Sequence, residues 1–461
     1  MRDTFGNSYH ARDIASVLHP QTNAKTHLEV GPTVIVRGEG VHVIDDEGNR
    51  YLDSGAGLWC NSIGYSNERV AKVAFEALNN LAYFPIFKHQ SHHAVIDLSE
   101  KLLSMAPVPM SKVMLQCSGS EANDTAVKIA WYYWHALGKP EKRKIITRMG
   151  SYHGSTCVAI SMTGNPAYHR SFGLPFEGFL HTDAPNYYRN ARPGESEEQF
   201  SQRLADSLEE MILREGPETV AGFWADPVQG NAGALPPPAG YFDKIQAVLR
   251  KYDILFVADE VICGFGRTGN VWGSQTFDMR PDMITCAKGL SAAMLPISAV
   301  MINQRIFDVL KEESNRNGAF VHGYTYSGHP VACSVALEVQ QIYEDLGLFD
   351  RVRSLEAPFM AMLSSLAEHP LVGSFSGCGL MGGIEIVRDR QARDISPPEA
   401  SIASRINTAA HRHGLMMRVS PTRIAFSPPL IISEAEIAEI GEKCRLALDD
   451  VLTEGDAPGI A

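Results

Sequence analysis

Two short apolar runs that each stop on a charged side chain set the terms for this chain. Residues 254–258 (ILFVA) run into Asp259 and Glu260, and residues 283–287 (MITCA) run into Lys288 and Gly289. Unbroken apolar runs of this length read as buried strands. Open α/β sheets bind ligands where their strands end, so Asp259 and Lys288 are the first candidates for chemistry. Burial disfavours the ammonium form and leaves a lysine as an amine that can attack a carbonyl and form a Schiff base. Each residue also has a plain reading: a lysine after an apolar run is ordinarily a solvated strand end, and an Asp-Glu pair is ordinarily surface charge.

The pairing is what pyridoxal phosphate (PLP) chemistry asks of a protein: a lysine to hold an aldehyde, and an acid to keep a pyridine nitrogen protonated. The passage DEVICGFGRTG (259–269) followed by ITCAKGL (284–290) resembles the class III (omega) aminotransferases of the fold type I PLP-dependent enzymes. There a D-E-V-x-x-G-F-G-R-T-G block precedes the K-G lysine by a similar interval. The resemblance covers nearly the whole chain. It implies an α/β fold with a mainly parallel, seven-stranded-type sheet and a smaller α+β domain from both chain ends. We expect residues 1–66 to join the small domain, 67–335 to form the large PLP-binding domain, and 336–461 to form the C-terminal small domain.

A formal charge of −12 and the lack of any lysine/arginine run argue against a nucleic-acid partner. No segment approaches the roughly 18 consecutive apolar residues of a membrane span, so the expectation is a soluble cytoplasmic protein. The eight cysteines are scattered, without a C-x-x-C pair, and read as reduced thiols. His89, His92 and His93 form an H-x-x-H-H that could place two imidazoles on one helix face, but no acidic or cysteine partner stands nearby and we expect no metal. Two G-x-G-x-x-G spellings, at Gly264, Gly266 and Gly269 and at Gly377, Gly379 and Gly382, lack the strand before and helix after that a dinucleotide site requires.

Along the chain, 34–36 and 41–44 read as a hairpin; 112–116, 144–148, 220–225 and 299–302 read as strands; 68–78, 92–105, 200–213, 241–251, 306–313 and 331–346 read as helices. One helix is expected within 1–30. After 348 the pattern gives helices 351–368 and 400–413, strands 380–387, 415–419 and 424–427, and a last helix from Glu434. In CSGSEANDTAVKIAW (117–131), Ser118, Gly119 and Ser120 open a helix whose first N–H groups could bind a phosphate, or be satisfied by ordinary serine capping. The resemblance favours the phosphate.

It also implies that Tyr152, beside His153 in the Y-H-G loop, stacks on the cofactor ring, that Val261 packs behind it, and that Trp59 lines the substrate pocket rather than the core. Tyr83, Phe84 and Phe87 are expected to wall the same pocket. Asp226 stands where the family usually has a glutamate by the cofactor. Asn231 stands where members that use 2-oxoglutarate carry an acid to hold a substrate arginine, which points to the amine:pyruvate type. Thr325 is expected to reach the phosphate of a neighbouring subunit, implying a homodimer with shared active sites, with a tetramer open. Arg418, or else Arg423, would grip a substrate carboxylate.

The function expected is a ping-pong aminotransferase. It moves an amino group from an amine or omega-amino acid to an oxo-acid, pyruvate by resemblance, through a Schiff base on Lys288 that later serves as the base. Other class III chemistry, an aminomutase or dialkylglycine decarboxylase, and a catalytically silent PLP-binding protein are the alternatives.

Overall fold

A computed structural model describes residues 7–388, 390, 400–420 and 422–454; the outer ends of the expected terminal segments lie outside them. Two short helices, α1 (Tyr9–Ser16) and α2 (Ala24–Val30), come first. Only one was expected. The second is started by Asn23, whose side chain accepts from the N–H groups of Lys25 and Thr26, a cap visible in the sequence. β1 (Ile35–Glu39) and β2 (His42–Asp45) then form the expected hairpin, and β3 (Arg50–Asp53) pairs with β2.

Seven strands make the central sheet: β4 (Lys112–Gln116), β5 (Lys144–Arg148), β6 (Phe179–Thr182), β7 (Val220–Ala225), β8 (Leu255–Asp259), β9 (Met283–Cys286) and β10 (Ser298–Ile302). Their order is β4-β10-β9-β8-β7-β5-β6. β6, β5, β7, β8 and β9 are parallel, and β10 runs antiparallel to both β9 and β4. The carboxyl ends of every strand but β10 therefore share one edge. β7, β8, β9 and β10 are buried throughout, as apolar strands of a sheet covered on both faces must be. The helix Gly119–Ala136 covers one face, its Ala126, Ala130 and Trp134 packing with Val257, Met283 and Val300. β6 was not expected, because FLHT alternates too briefly to stand out.

A second region is built from both ends of the chain. β11 (Val372–Cys378), β12 (Met381–Ile386), β14 (Arg418–Val419) and β15 (Arg423–Phe426) form one sheet, and β13 (Leu415–Met416) joins β1, β2 and β3 in another. The single strand expected over 415–419 is thus divided. Leu415 and Met416 pair parallel with Leu52 and Asp53, whereas Arg418 pairs with Ala425. Met417 is the crossing between sheets. β11, with its glycines and serines, has no apolar run and was not expected. The glycines 377, 379 and 382 belong to the β11–β12 hairpin, with Gly379 at φ +58° in the turn.

His92 caps the helix His93–Met105, its Nδ1 accepting from the Val95 N–H at 3.2 Å while Nε2 lies 2.7 Å from the Gly328 carbonyl. Among the described residues no helix is long and apolar enough to cross a membrane.

Candidate active site

Asp259 ends β8 as a buried carboxylate with three donors converging on it. Oδ2 accepts from Asn123 Nδ2 at 2.8 Å and from His153 Nδ1 at 2.7 Å, and Oδ1 accepts from the Val261 N–H at 3.0 Å. Since the carboxylate only accepts, His153 carries its proton on Nδ1. Asn123 is itself fixed by donating to the His153 carbonyl at 2.7 Å and accepting from Thr285 Oγ1 at 3.0 Å. Asn123 and Thr285 were not singled out in the sequence. Their signal was present only as a polar residue on the inner face of an apolar helix and another within an apolar strand.

Lys288 follows β9, the neighbour of β8 in the sheet. Its φ is +39°, a left-handed value that a residue with a Cβ adopts at a cost of about 1–3 kcal/mol. Burial lowers its pKa to about 8, and the nearest charges acting on it include Asp259, which raises it, and Arg418, which lowers it. Near neutral pH a useful fraction of Nζ is therefore an uncharged nucleophile.

The helix Gly119–Ala136 points its amino end at the same edge. Ser118 Oγ accepts from the Glu121 N–H while Glu121 Oε2 accepts from the Ser118 N–H, a closed capping box. The N–H groups of Gly119 and Ser120 stay outside this box, where the helix dipole favours an anion. A side chain at 119 would place its Cβ 3.0 Å from Val261 Cγ1, so the bare backbone is what lets Val261 lie against it. A Cβ at Gly154 would stand 2.5 Å from Ser120 Oγ, which accepts from the Ser155 N–H at 2.9 Å. The half-buried Tyr152 ring, its hydroxyl 2.8 Å from Ser155 Oγ, lies 5.6 Å from that of Tyr168.

An amine at a strand end, a held carboxylate on the adjacent strand, an open helix amino end and an aromatic plane fit the aldehyde, ring nitrogen, phosphate and ring face of PLP.

Other expected residues fall differently. Asp226 ends β7 buried, and its Oδ1 accepts from Arg148 NH2 at 2.7 Å, so that carboxylate is committed to a buried ion pair. Trp59 is 3 % exposed and packs with Val228, Cys263 and Met381, the core placement that the plain reading allowed. Tyr83, Phe84 and Phe87 lie on the surface of the single chain, about two-fifths exposed, with Phe87 over Gly323 and Tyr83 donating to the Thr325 carbonyl at 2.7 Å. Thr325 itself is exposed in a turn.

The two arginines separate cleanly. Arg423 is 2 % exposed and fully engaged: NH1 to Glu385 Oε1 at 2.7 Å, Nε to the Gly233 carbonyl at 3.0 Å, and NH2 to Ser376 Oγ at 2.8 Å. Glu385 also pairs with Arg189. Arg418 has one hydrogen bond among the described residues, a long 3.4 Å contact from NH2 to the amide oxygen of Asn231. It lies in the wall of a cavity of ≈ 790 Å³ whose lining includes Gln21 and Tyr65 but neither Lys288 nor Asp259.

The sequence profile of the family described as aminotransferase class-III matches residues 23–448. A Solanum lycopersicum protein named gamma aminobutyrate transaminase 3, chloroplastic, is 45 % identical over 94 % of this chain and 84 % of its own length. A protein of Oryza sativa subsp. indica named gamma-aminobutyrate transaminase 1, mitochondrial, is 45 % identical over 92 % of this chain and 82 % of its own. Among solved structures, a 6-fold mutant of a thermostable omega transaminase from Pseudomonas jessenii superimposes with a TM-score of 0.95 at 47 % identity, covering 96 % of this chain and 98 % of that one. The omega transaminase of the same organism in complex with PMP gives 0.96 at 46 % identity, covering 98 % and 100 %. With the profile spanning most of its length and the site built at the shared strand edge, the chain belongs to the class-III aminotransferase family and is a PLP-dependent transaminase.

Proposed function

We propose that the enzyme takes an amino group from a primary amine or an omega-amino acid and delivers it to pyruvate in two half-reactions, using active sites shared between two copies of the chain. When bound, PLP supplies an aldehyde that receives the amine and a ring that withdraws electrons from the carbon bearing it. Lys288 Nζ holds the aldehyde at rest and, once freed, carries the proton between the donor carbon and the cofactor. Asp259, held by Asn123 and His153, keeps a proton on the ring nitrogen. The N–H groups of Gly119 and Ser120, with Thr325 of the partner subunit, hold the phosphate. Tyr152 covers one ring face and Val261 the other. Asp226 acts at a distance, by fixing Arg148.

The acceptor is read from Arg418. Its contact with Asn231 is neutral and long, so the guanidinium is free to meet a carboxylate and to withdraw for an apolar donor. The neighbouring Arg423 has no such freedom. An omega-amino acid donor is favoured by the names of the curated relatives. The shared site is supported by the exposed Phe87 and Thr325, which belong to one surface rather than to the Lys288 pocket of their own chain. A reducing, cytoplasmic setting suits eight free cysteines, four of them buried.

The test is the visible spectrum of the PLP-loaded protein with excess L-alanine, then with a simple amine and an omega-amino acid. Loss of the yellow form with alanine supports pyruvate as the cognate acceptor, and its return with pyruvate closes the cycle. A yellow form that alanine leaves unchanged but glutamate bleaches assigns 2-oxoglutarate instead. Release of carbon dioxide points to a decarboxylase.

A further inference from the structure

Away from the strand edge, one group among the described residues brings three metal-binding side chains together: Asp13, His19 and His27, with ligand atoms all within 4.8 Å of one another. Asp13 is on α1, His27 on α2, and His19 in the turn between them. His19 Nε2 lies 2.8 Å and His27 Nε2 3.1 Å from the same oxygen, Asp13 Oδ1. The two rings are 4.2 Å apart, centroid to centroid, tilted by 42°. The three side chains are 22, 29 and 11 % exposed for Asp13, His19 and His27.

Hydrogen bonding alone gives both rings one acceptor atom and requires both to be protonated on Nε2. A cation in their midst uses the same convergence better. Donor atoms around a tetrahedral zinc ion, with bonds of about 2.0–2.1 Å, sit roughly 3.3 Å apart. The observed 2.8 and 3.1 Å separations need to open by only a few tenths of an ångström. Two imidazoles and one carboxylate also match the ligand preference of zinc, with a fourth position left for water.

We propose that Asp13, His19 and His27 form a structural divalent-metal site of the zinc class that staples α1 to α2. On binding, each neutral ring shifts its proton to Nδ1 so that the Nε2 lone pair faces the ion, and any extra proton leaves to solvent. The turn so fixed carries Gln21, at φ +51°, whose Oε1 accepts from the Tyr168 hydroxyl at 3.3 Å. The ion thereby holds the N-terminal turn against a tyrosine that neighbours Tyr152, and its role is positioning.

The test is equilibrium dialysis of the chelator-treated, PLP-loaded enzyme against Zn²⁺, with Co²⁺ as a visible probe of tetrahedral coordination. One ion per subunit with Kd near or below about 1 µM is expected. His27→Ala and the near-isosteric Asp13→Asn should each weaken it at least tenfold, while His89→Ala, an exposed histidine elsewhere, leaves it unchanged. An unaltered cofactor spectrum in each variant reports an intact fold. Absence of an ion of that affinity in the parent enzyme, or retained stoichiometry and affinity in His27→Ala, overturns the site.

Discussion

At the residue scale, what separates Arg418 from Arg423 is the company each keeps. Arg423 compensates the buried Glu385, and truncating one partner of such a pair leaves an uncompensated charge. Arg423→Ala should therefore cost about 3 kcal/mol or more in urea unfolding. Arg418→Ala should leave stability nearly unchanged and raise KM for pyruvate at least tenfold, with KM for a simple amine within about twofold; equal rises for both substrates would remove the carboxylate role. Lys288 offers a second reading. Its ammonium form gives way at about pH 8 because burial favours the neutral amine. PLP uptake by the apoprotein should accelerate as pH rises toward that value and level off above it. A rate independent of pH across this range would argue that the amine is not the titrating nucleophile.

At the scale of elements, the amino end of the helix Gly119–Ala136 and the loop after β8 fit by the absence of one methyl group. Gly119→Ala should push Val261 forward by the tenths of an ångström that its 3.0 Å clearance lacks, loosening PLP. Dialysis should show faster cofactor loss, and Val261→Ala in the same chain should restore retention.

Glu260 does a different job at the end of β8. Its two oxygens accept from the N–H groups of Gly273 and Ser274, at 3.0 and 2.6 Å, and burial pushes its pKa from 4.5 up to about 7. The folded chain thus keeps a proton that the unfolded chain releases, so stability should decline by about 3 kcal/mol as pH rises from the ordinary glutamate value to the raised one, and be flat above it. Glu260→Gln should flatten that decline whatever its absolute stability. The same slope in parent and variant would place the effect elsewhere.

On the scale of the whole molecule, the surface near the 320–328 turn is unusually apolar. Phe75, Tyr83, Phe87, Val321 and Tyr326 are 68, 40, 42, 85 and 60 % exposed, and Tyr83 meets Tyr326 edge-on at 5.9 Å. Apolar exposure on this scale is typical of an interaction surface, and the proposed second copy of the chain would cover it. Phe75→Asp should shift sedimentation toward the monomer and abolish activity together with it. A fully active monomer would end the shared-site reading.

The local sequence determined most of the large sheet, because its strands are short apolar runs that stop abruptly and its helices carry their own caps. It also determined which side chains stand at strand ends: Asp259, Lys288, Gly119 and Tyr152 are placed there by chain order alone. What it could not decide was which partner each polar group would find. Asn123 and His153 reach Asp259 from distant segments, Asp226 is taken by Arg148, and the 415–419 run is divided because β3 and β15 compete for it from opposite sides. Those outcomes depend on pairings between residues far apart in the chain, and only the closed tertiary packing selects among them.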